Sequence, residues 1–396
     1  MRLFLGLSVG SGLEGIDAAA VRAAGVGLEL SPVVAATVRV GFPLPIRDAF
    51  RANSSSPGPD FTRHIADTAI HAVRHLLTRL AISARDVSAT GFLEPSHAAA
   101  GLALPWPEIA DRIAEQTGIT VIHGFRDRDR AVGGAGHPIA AVSDFLLFRD
   151  TNTPRLLTHL GSVTSLLFIP LGAKVSNVVG FESGPGNQLL DSLIFHGTKG
   201  KELIDAGGKK AVQGKCLESL MERWLEHPHL TRTPPKAVHS EAFGRSFIAA
   251  AFESARQLGA SLHDLLCTAT HLVARSVGHA VKQWLPPRSE IRQVLVSGGG
   301  ARNGFLWQLV SQQFPDERVA RMEEVGIAPQ ARNAAGAAVL GILTCDGVAG
   351  NLPNLTGATG GRLLGHFTPG DGRNWARLAS WIADQTGEYP RANRAA

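Results

Sequence analysis

The chain is short of several residue types, and each shortage excludes a class of protein. Its 396 residues include one Tyr, three Met and three Cys, and only 18% are charged. Cys216, Cys267 and Cys345 lie far apart and are odd in number. Neither a disulfide framework nor a metal-ligand spacing follows, and a reducing cytoplasm is the compartment they suit. There is no run of five or more Lys/Arg and no basic stripe interleaved with aromatics, so a nucleic-acid footprint is disfavoured. No apolar stretch reaches the length of a membrane span. The apolar start, Leu3-Phe4-Leu5-Gly6-Leu7, follows a single Arg and precedes Glu14 and Asp17. A buried first strand fits it better than a signal peptide.

What is present points to a globular rather than a disordered chain. Apolar residues make up 44%, and the length suits two cores rather than one. The formal charge of +5 is spread along the chain and suits an anionic small molecule such as a nucleotide. The 44 glycines predict tight turns and close backbone approaches.

Residues 1–125 read as βββαβαβ. Strands are expected over 2–9, 15–21, 31–42, 87–92 and 119–123. A helix is expected from an Asp60 cap, with Ile65, Ala69, Val73, Leu76 and Leu80 at helical spacing, and a second from Pro107 to a stop at Gly118. Part of the pattern recurs. Strands at 156–160, 163–170 and 175–181 lead through Gly184-Pro185-Gly186 to a helix at 187–195. Helices follow at 241–258 and 262–285, a strand at 291–296, and helices at 303–314, 329–343 and 375–385. The repeated order suggests a duplicated fold.

Three glycine turns each follow an apolar strand: Gly10-Ser11-Gly12, Gly161-Ser162 and Gly298-Gly299-Gly300. Such turns offer backbone N–H donors and no Cβ, which is what a phosphate needs. The first two occupy the same place in the two repeats, so a two-fold related pair would set them facing each other across a cleft. The third opens a helix, whose N-terminal donors can add to a nucleotide site. None is a Walker A loop, since no Gly-Lys-Ser/Thr follows.

The pieces in order are Gly6 to Asp17, Phe125-Arg126-Asp127-Arg128-Asp129, Gly133-Gly134-Ala135-Gly136, Gly180 to Asn187, Pro234-Pro235-Lys236, Val294 to Asn303 and Gly350-Asn351-Leu352-Pro353. In that order the chain resembles the anhydro-N-acetylmuramic acid kinases, from the first strand to Gly357-Ala358. The resemblance implies an α/β protein of two RNase H-like domains in the actin-like sugar-kinase fold, with a cleft between them. The first domain would be 1–125, completed by 358–396, and the second 126–357.

It also implies an ATP- and Mg²⁺-dependent transferase, homodimeric and cytoplasmic. Such an enzyme opens the 1,6-anhydro ring of an amino sugar with water and phosphorylates the 6-oxygen, in peptidoglycan turnover. Glu182 would be the catalytic base. ATP would contact Gly10, Ser11, Gly12, Leu13, Glu14, Gly15, Ile16, Asp17, Gly161, Ser162, Gly298, Gly299 and Gly300. Glu14 would hold the metal, and Ser96, Arg128 and Asn333 would face the sugar.

Several positions depart from the family pattern. Glu182 and Glu14 stand where the family carries Asp, and Asn333 where it carries a sugar-binding Glu. Its His-Gly-Gln-Thr stretch aligns with Leu93-Glu94-Pro95-Ser96, and the Asp before Phe125 is Gly124. A second reading therefore stays open, a relative that binds nucleotide or sugar without turnover. Without the resemblance, Arg126 to Asp129 would read as a solvated charge cluster, and His71 and His75 as an exposed helix face with no third metal ligand.

Overall fold

The structure is a computed structural model that describes residues 1–9, 15–43, 46, 59–95, 104–239, 241–287 and 290–388. Its strands are β1 (Arg2–Val9), β2 (Gly15–Ala24), β3 (Ser31–Gly41), β4 (Ala89–Leu93), β5 (Val121–His123), β6 (Arg155–Leu160), β7 (Val163–Ile169), β8 (Val179–Pro185), β9 (Gln293–Ser297), β10 (Arg318–Arg321) and β11 (His366–Thr368). The helices are α1 (Pro59–Leu80), α2 (Trp106–Thr117), α3 (Asp127–Arg130), α4 (Ala141–Phe148), α5 (Asn187–Gly197), α6 (Glu218–Leu225), α7 (Pro228–Thr231), α8 (Arg245–Gln257), α9 (Leu262–Trp284), α10 (Gly304–Ser311), α11 (Arg332–Cys345), α12 (Pro353–Thr356) and α13 (Gly372–Glu388). Residues 1–125 therefore follow the expected order of strands and helices.

The chain divides into two compact units, Met1–Arg149 with Gly326–Ala396, and Asp150–Val325. The first holds a sheet in the order β11-β5-β4-β1-β2-β3, and the second a sheet in the order β10-β9-β6-β7-β8. In the first, β1, β2 and β3 are antiparallel neighbours while β4 and β5 run parallel to β1. In the second, β6, β7 and β8 repeat that hairpin pair while β9 and β10 run parallel to β6. Strand for strand the two paths coincide, with β11 an extra edge on the first. This is the duplicated α/β, RNase H-like plan of the actin-like fold.

Strand β1 is buried along its length beyond Arg2 because helices cover both faces of the sheet. Leu3, Leu5 and Leu7 point into the core built with α1 and α2. The opposite face carries Gly6 because α11 lies directly against it. A Cβ on Gly6 would fall 1.8 Å from the Ala334 carbonyl oxygen, and one on Gly91 of β4 would fall 2.0 Å from that of Ala337.

That contact moves the expected domain boundaries. Residues 326–357 belong with the first unit, since α11 packs on β1 and β4. Residues 126–149 stay there too. Asp144 of α4 pairs with Arg332 of α11, and the Arg149 guanidinium donates to the carbonyls of Leu28 (3.0 Å) and Leu30 (2.8 Å).

In the second unit α9 forms the spine of the core. A capping box starts it, with Ser261 Oγ accepting from the Asp264 N–H (3.2 Å) and the Asp264 carboxylate accepting from the Ser261 N–H (2.9 Å). Other boundaries shift by a few residues. The strand expected at 175–181 begins only at Val179 and runs through Pro185, because Val163 of β7 still pairs opposite Pro185.

Candidate active site

In the second unit the parallel strands β6 and β9 end side by side, at Leu160 and Ser297. The carboxyl ends of such strands are where open α/β sheets receive ligands. Two of the expected glycine loops meet there. Gly161-Ser162 closes the β6–β7 hairpin, and Gly298, with φ +88°, starts the turn Gly299–Arg302 that leads to α10. The Asn303 side chain caps α10, accepting from the Leu306 N–H at 3.0 Å.

A Cβ on Gly298 would stand 2.4 Å from the Leu160 carbonyl oxygen, so only glycine allows this approach. The Gly184-Pro185-Gly186-Asn187 segment is hydrogen-bonded to the first of these loops, and the Asn187 side chain also lies beside Gly299 and Gly300. Its Asn187 N–H donates to the Gly161 carbonyl (2.8 Å), the Gln188 N–H to the Ser162 carbonyl (3.1 Å) and the Asn187 side-chain amide to the Leu160 carbonyl (3.1 Å). Beside them, His159 Nδ1 and Ser297 Oγ are 2.9 Å apart. The contacts of Asn187 were not readable from its position, since its partners lie on a hairpin about a turn and a strand away in sequence.

Glu182 lies on β8, where the pairing with β7 slips between Thr164 and Ser165. A bulge of this kind re-aims side chains, and bulges recur next to active sites. Glu182 is only 4% exposed. Its carboxylate accepts from the Val238 N–H at 2.6 Å, its own N–H donates to the Lys236 carbonyl at 3.1 Å, and its carbonyl accepts from His229 Nε2 at 3.0 Å.

Burial pushes the His229 imidazole down to about 4, so it is neutral at pH 7. A carbonyl can only accept, which places the His229 proton on Nε2. Burial, reinforced by the Arg232 charge, pushes the Lys236 ammonium down to about 8. Lys236 Nζ donates to the carbonyls of His229 (3.1 Å) and Leu230 (3.2 Å). A carboxylate held this way is fixed in orientation.

In the first unit, Gly10, Ser11, Gly12, Leu13, Glu14 and Ser96 lie outside the described residues. Gly15, Ile16 and Asp17 begin β2 and are buried. Gly15 is there for the sheet: a Cβ would fall 2.2 Å from the Val40 carbonyl oxygen. Asp17 is paired with Arg39 of β3 at 3.6 Å. Arg128 is exposed on α3, and Asn333 is part-exposed in the first turn of α11, next to the buried Arg332–Asp144 pair.

The run Arg126 to Asp129 is not a solvated cluster throughout. Asp129 is fully buried and accepts from the Gly136 N–H (2.8 Å), the Asn351 side-chain amide (2.7 Å) and Thr356 Oγ1 (2.7 Å). One carboxylate thus ties the 133–136 and 350–353 pieces together. Arg126 is buried too, and donates to the Glu94 carbonyl at 2.8 Å. The Glu94 carboxylate accepts from the Gly124 N–H at 2.7 Å, and burial pushes this carboxyl up while Arg126 opposes the shift. Neither contact shows in a local pattern, because the partners lie about 30 to 230 residues apart.

Glycine-bearing loops stand at the carboxyl ends of β6 and β9. Among the described residues no group of three or more His, Cys, Asp or Glu side chains gathers to hold a metal. A Mg²⁺ carried by nucleotide phosphates asks for one or two protein carboxylates rather than a cage.

The anhydro-N-acetylmuramic acid kinase family model matches residues 2–370. The anhydro-N-acetylmuramic acid kinase of Gloeobacter violaceus is 32% identical over 380 residues, covering 93% of this chain and 98% of that protein. The enzyme of the same name from Salinibacter ruber is 31% identical over 390 residues, covering 93% and 96%. Among solved structures, component A of the Acidaminococcus fermentans (R)-2-hydroxyglutaryl-CoA dehydratase aligns with 86% of this chain and 97% of its own, at 12% identity and a TM-score of 0.45. A match that runs almost from end to end, in a protein built as two copies of one sheet, has one reading: the chain belongs to the anhydro-N-acetylmuramic acid kinase family.

Proposed function

We propose that the protein phosphorylates a 1,6-anhydro amino sugar of the anhydro-N-acetylmuramic acid type, with ATP as the donor. The observation that carries this reading is the buried Glu182, aimed by a bulge and fixed at its backbone and carboxylate by 229–238. Glu182 takes a proton from water as the water oxygen bonds to the anomeric carbon. The bond from that carbon to the bridging 6-oxygen breaks, and the 6-oxygen takes the γ-phosphoryl group, releasing ADP.

The loops Gly161-Ser162 and Gly298-Gly299-Gly300 are assigned to phosphates, as are Gly10 to Asp17 by resemblance. A divalent cation, Mg²⁺ by the hardness of its ligands, would neutralise phosphate charge, with Glu14 the nominated ligand. Arg128, Asn333 and Ser96 are assigned to the sugar. A cytoplasmic homodimer in peptidoglycan recycling completes the proposal, on resemblance alone.

The test is ADP release from ATP and Mg²⁺ with 1,6-anhydro-N-acetylmuramic acid, run in ¹⁸O-labelled water. Sugar-dependent ADP release with one ¹⁸O at the anomeric hydroxyl is expected. A Glu182→Gln variant is expected to lose at least about 1,000-fold in kcat, within the range general-base removal reaches. Sugar binding with no ADP release at high enzyme would replace this reading with the binding-only one.

A further inference from the structure

Lys236 is a buried ammonium, 3% exposed, and its described contacts include no carboxylate. It touches two carbonyls and the faces of Phe181, at 5.4 Å, and Trp284, at 5.8 Å. Holding a cation in such surroundings is costly, and what surrounds it shows what the cost sustains. Its ammonium gathers the His229 and Leu230 carbonyls at one end of the 229–238 segment. From the same segment, the Lys236 carbonyl takes the Glu182 N–H, His229 Nε2–H reaches the Glu182 carbonyl, and the Val238 N–H reaches the Glu182 carboxylate. The segment closes on Glu182 from three directions, and Lys236 pins it shut.

We propose that Lys236 is a positioning residue for the reaction: its ammonium holds the 229–238 segment as a clasp that fixes the Glu182 carboxylate. This rests on Glu182 being the base, as proposed above. Nothing in Lys236 need touch substrate. It acts through Glu182, and a base displaced by about 1 Å loses on the order of 100-fold in rate.

The experiment is a double-mutant cycle on the full chain. Lys236→Met keeps the unbranched stem against Phe181 and Trp284 and removes the charge. It is expected to lower kcat about 100-fold while leaving KM for sugar and for ATP within about 3-fold. Combined with Glu182→Gln, it is expected to add no further loss, because residues acting as one unit are not additive.

Three outcomes separate the two ideas. Full turnover in Glu182→Gln overturns the base assignment, and the clasp with it. An inactive Glu182→Gln beside a Lys236→Met with normal kcat overturns the clasp alone. Losses that simply multiply in the double variant also overturn it, since a general structural defect would act in both backgrounds. Should Lys236→Met fail to fold, His229 carries the same test. His229→Gln retains a donor for the Glu182 carbonyl and is expected to keep at least a third of wild-type kcat. His229→Ala is expected to lose about ten-fold or more, and equal kcat for the two overturns the clasp.

Discussion

Substituting Gly298 by Ala tests the glycine loops directly. At φ +88° and ψ 172° an Ala sits in backbone space essentially reserved for glycine, at a cost of about 1–3 kcal/mol. Its Cβ would also stand 2.4 Å from the Leu160 carbonyl oxygen and 3.1 Å from the Gly161 N. Relief to ordinary contact requires the two loops to part by about 1 Å, and overpacking of this kind adds about 1–3 kcal/mol. The sum, about 4 kcal/mol, corresponds to a fall of about 12 °C in the Tm of a unit this size. Because the same parting moves Gly161 away from Gly298, turnover with ATP is expected to fall about 100-fold, mostly in kcat.

Gly207 supplies the internal control. It also has a positive φ, +74°, but nothing lies within 4 Å of its would-be Cβ. Gly207→Ala is expected to cost only the backbone part, about 1–2 kcal/mol, and to leave turnover nearly intact. Differential scanning calorimetry with ADP-release kinetics reads both variants. A Gly298→Ala protein that melts within 2–3 °C of Gly207→Ala, or turns over as fast, would refute the claim that the loops are locked by close backbone approach.

Three further outcomes follow from other contacts. Gly91→Ala, with its Cβ 2.0 Å from the Ala337 carbonyl oxygen, is expected to unfold or lower the first unit's Tm by more than about 8 °C. Gly341→Ala, whose nearest neighbour is 3.4 Å away, is expected to be neutral or stabilising by up to about 1 kcal/mol, so matching Tm values would sink the packing account. Asp129→Asn turns an amide towards the Gly136 N–H or towards Asn351 and Thr356, and is expected to cost about 3 kcal/mol in urea unfolding. His229 binds its proton at about 4 when folded and at the ordinary 6.5 when unfolded, so the unfolded chain holds more protons between these values and stability falls as pH drops from 6.5 to 4. The loss from this group, up to about 3 kcal/mol, is expected to vanish in His229→Gln, and an unchanged pH slope in that variant would contradict it.

Much of the fold was legible because its signals are local. The strands of the first unit carry continuous apolar runs, and α1 and α2 carry helical periodicity, so βββαβαβ could be read from residues 1–125. The repeat was visible for the same reason, as a second β-hairpin pair with a glycine turn in the same place. The domain boundaries were not legible. They depend on α11 seating against Gly6 and Gly91, more than 240 residues away, and the sequence shows only that those positions lack side chains. The same limit applies to the site. Gly161 and Gly298 stood out as turns, but nothing in either turn says that Asn187 would be bonded to the first and lie beside the second. Lys236 could be quoted only as part of a motif, because its work is to hold carbonyls, which every residue has.

The departures from the family pattern gain a different meaning once Glu94 is placed. By resemblance, the family pattern has a carboxylate before Phe125, where this chain has Gly124, and glycine where this chain has Glu94. Taken singly these look like two disruptions. In the structure they are neighbours at the carboxyl ends of the adjacent parallel strands β4 and β5, and the Glu94 carboxylate takes the Gly124 N–H at 2.7 Å. Gly124 is moreover held at φ +66°, with its would-be Cβ 2.7 Å from both the Asp127 carboxylate and the His366 ring, so a side chain there would have to displace these two exposed groups. The resemblance thus implies one negative group on the β4 loop here in place of one on the β5 loop. The two departures are therefore one exchange between neighbouring loops, which keeps a single buried carboxylate facing Arg126.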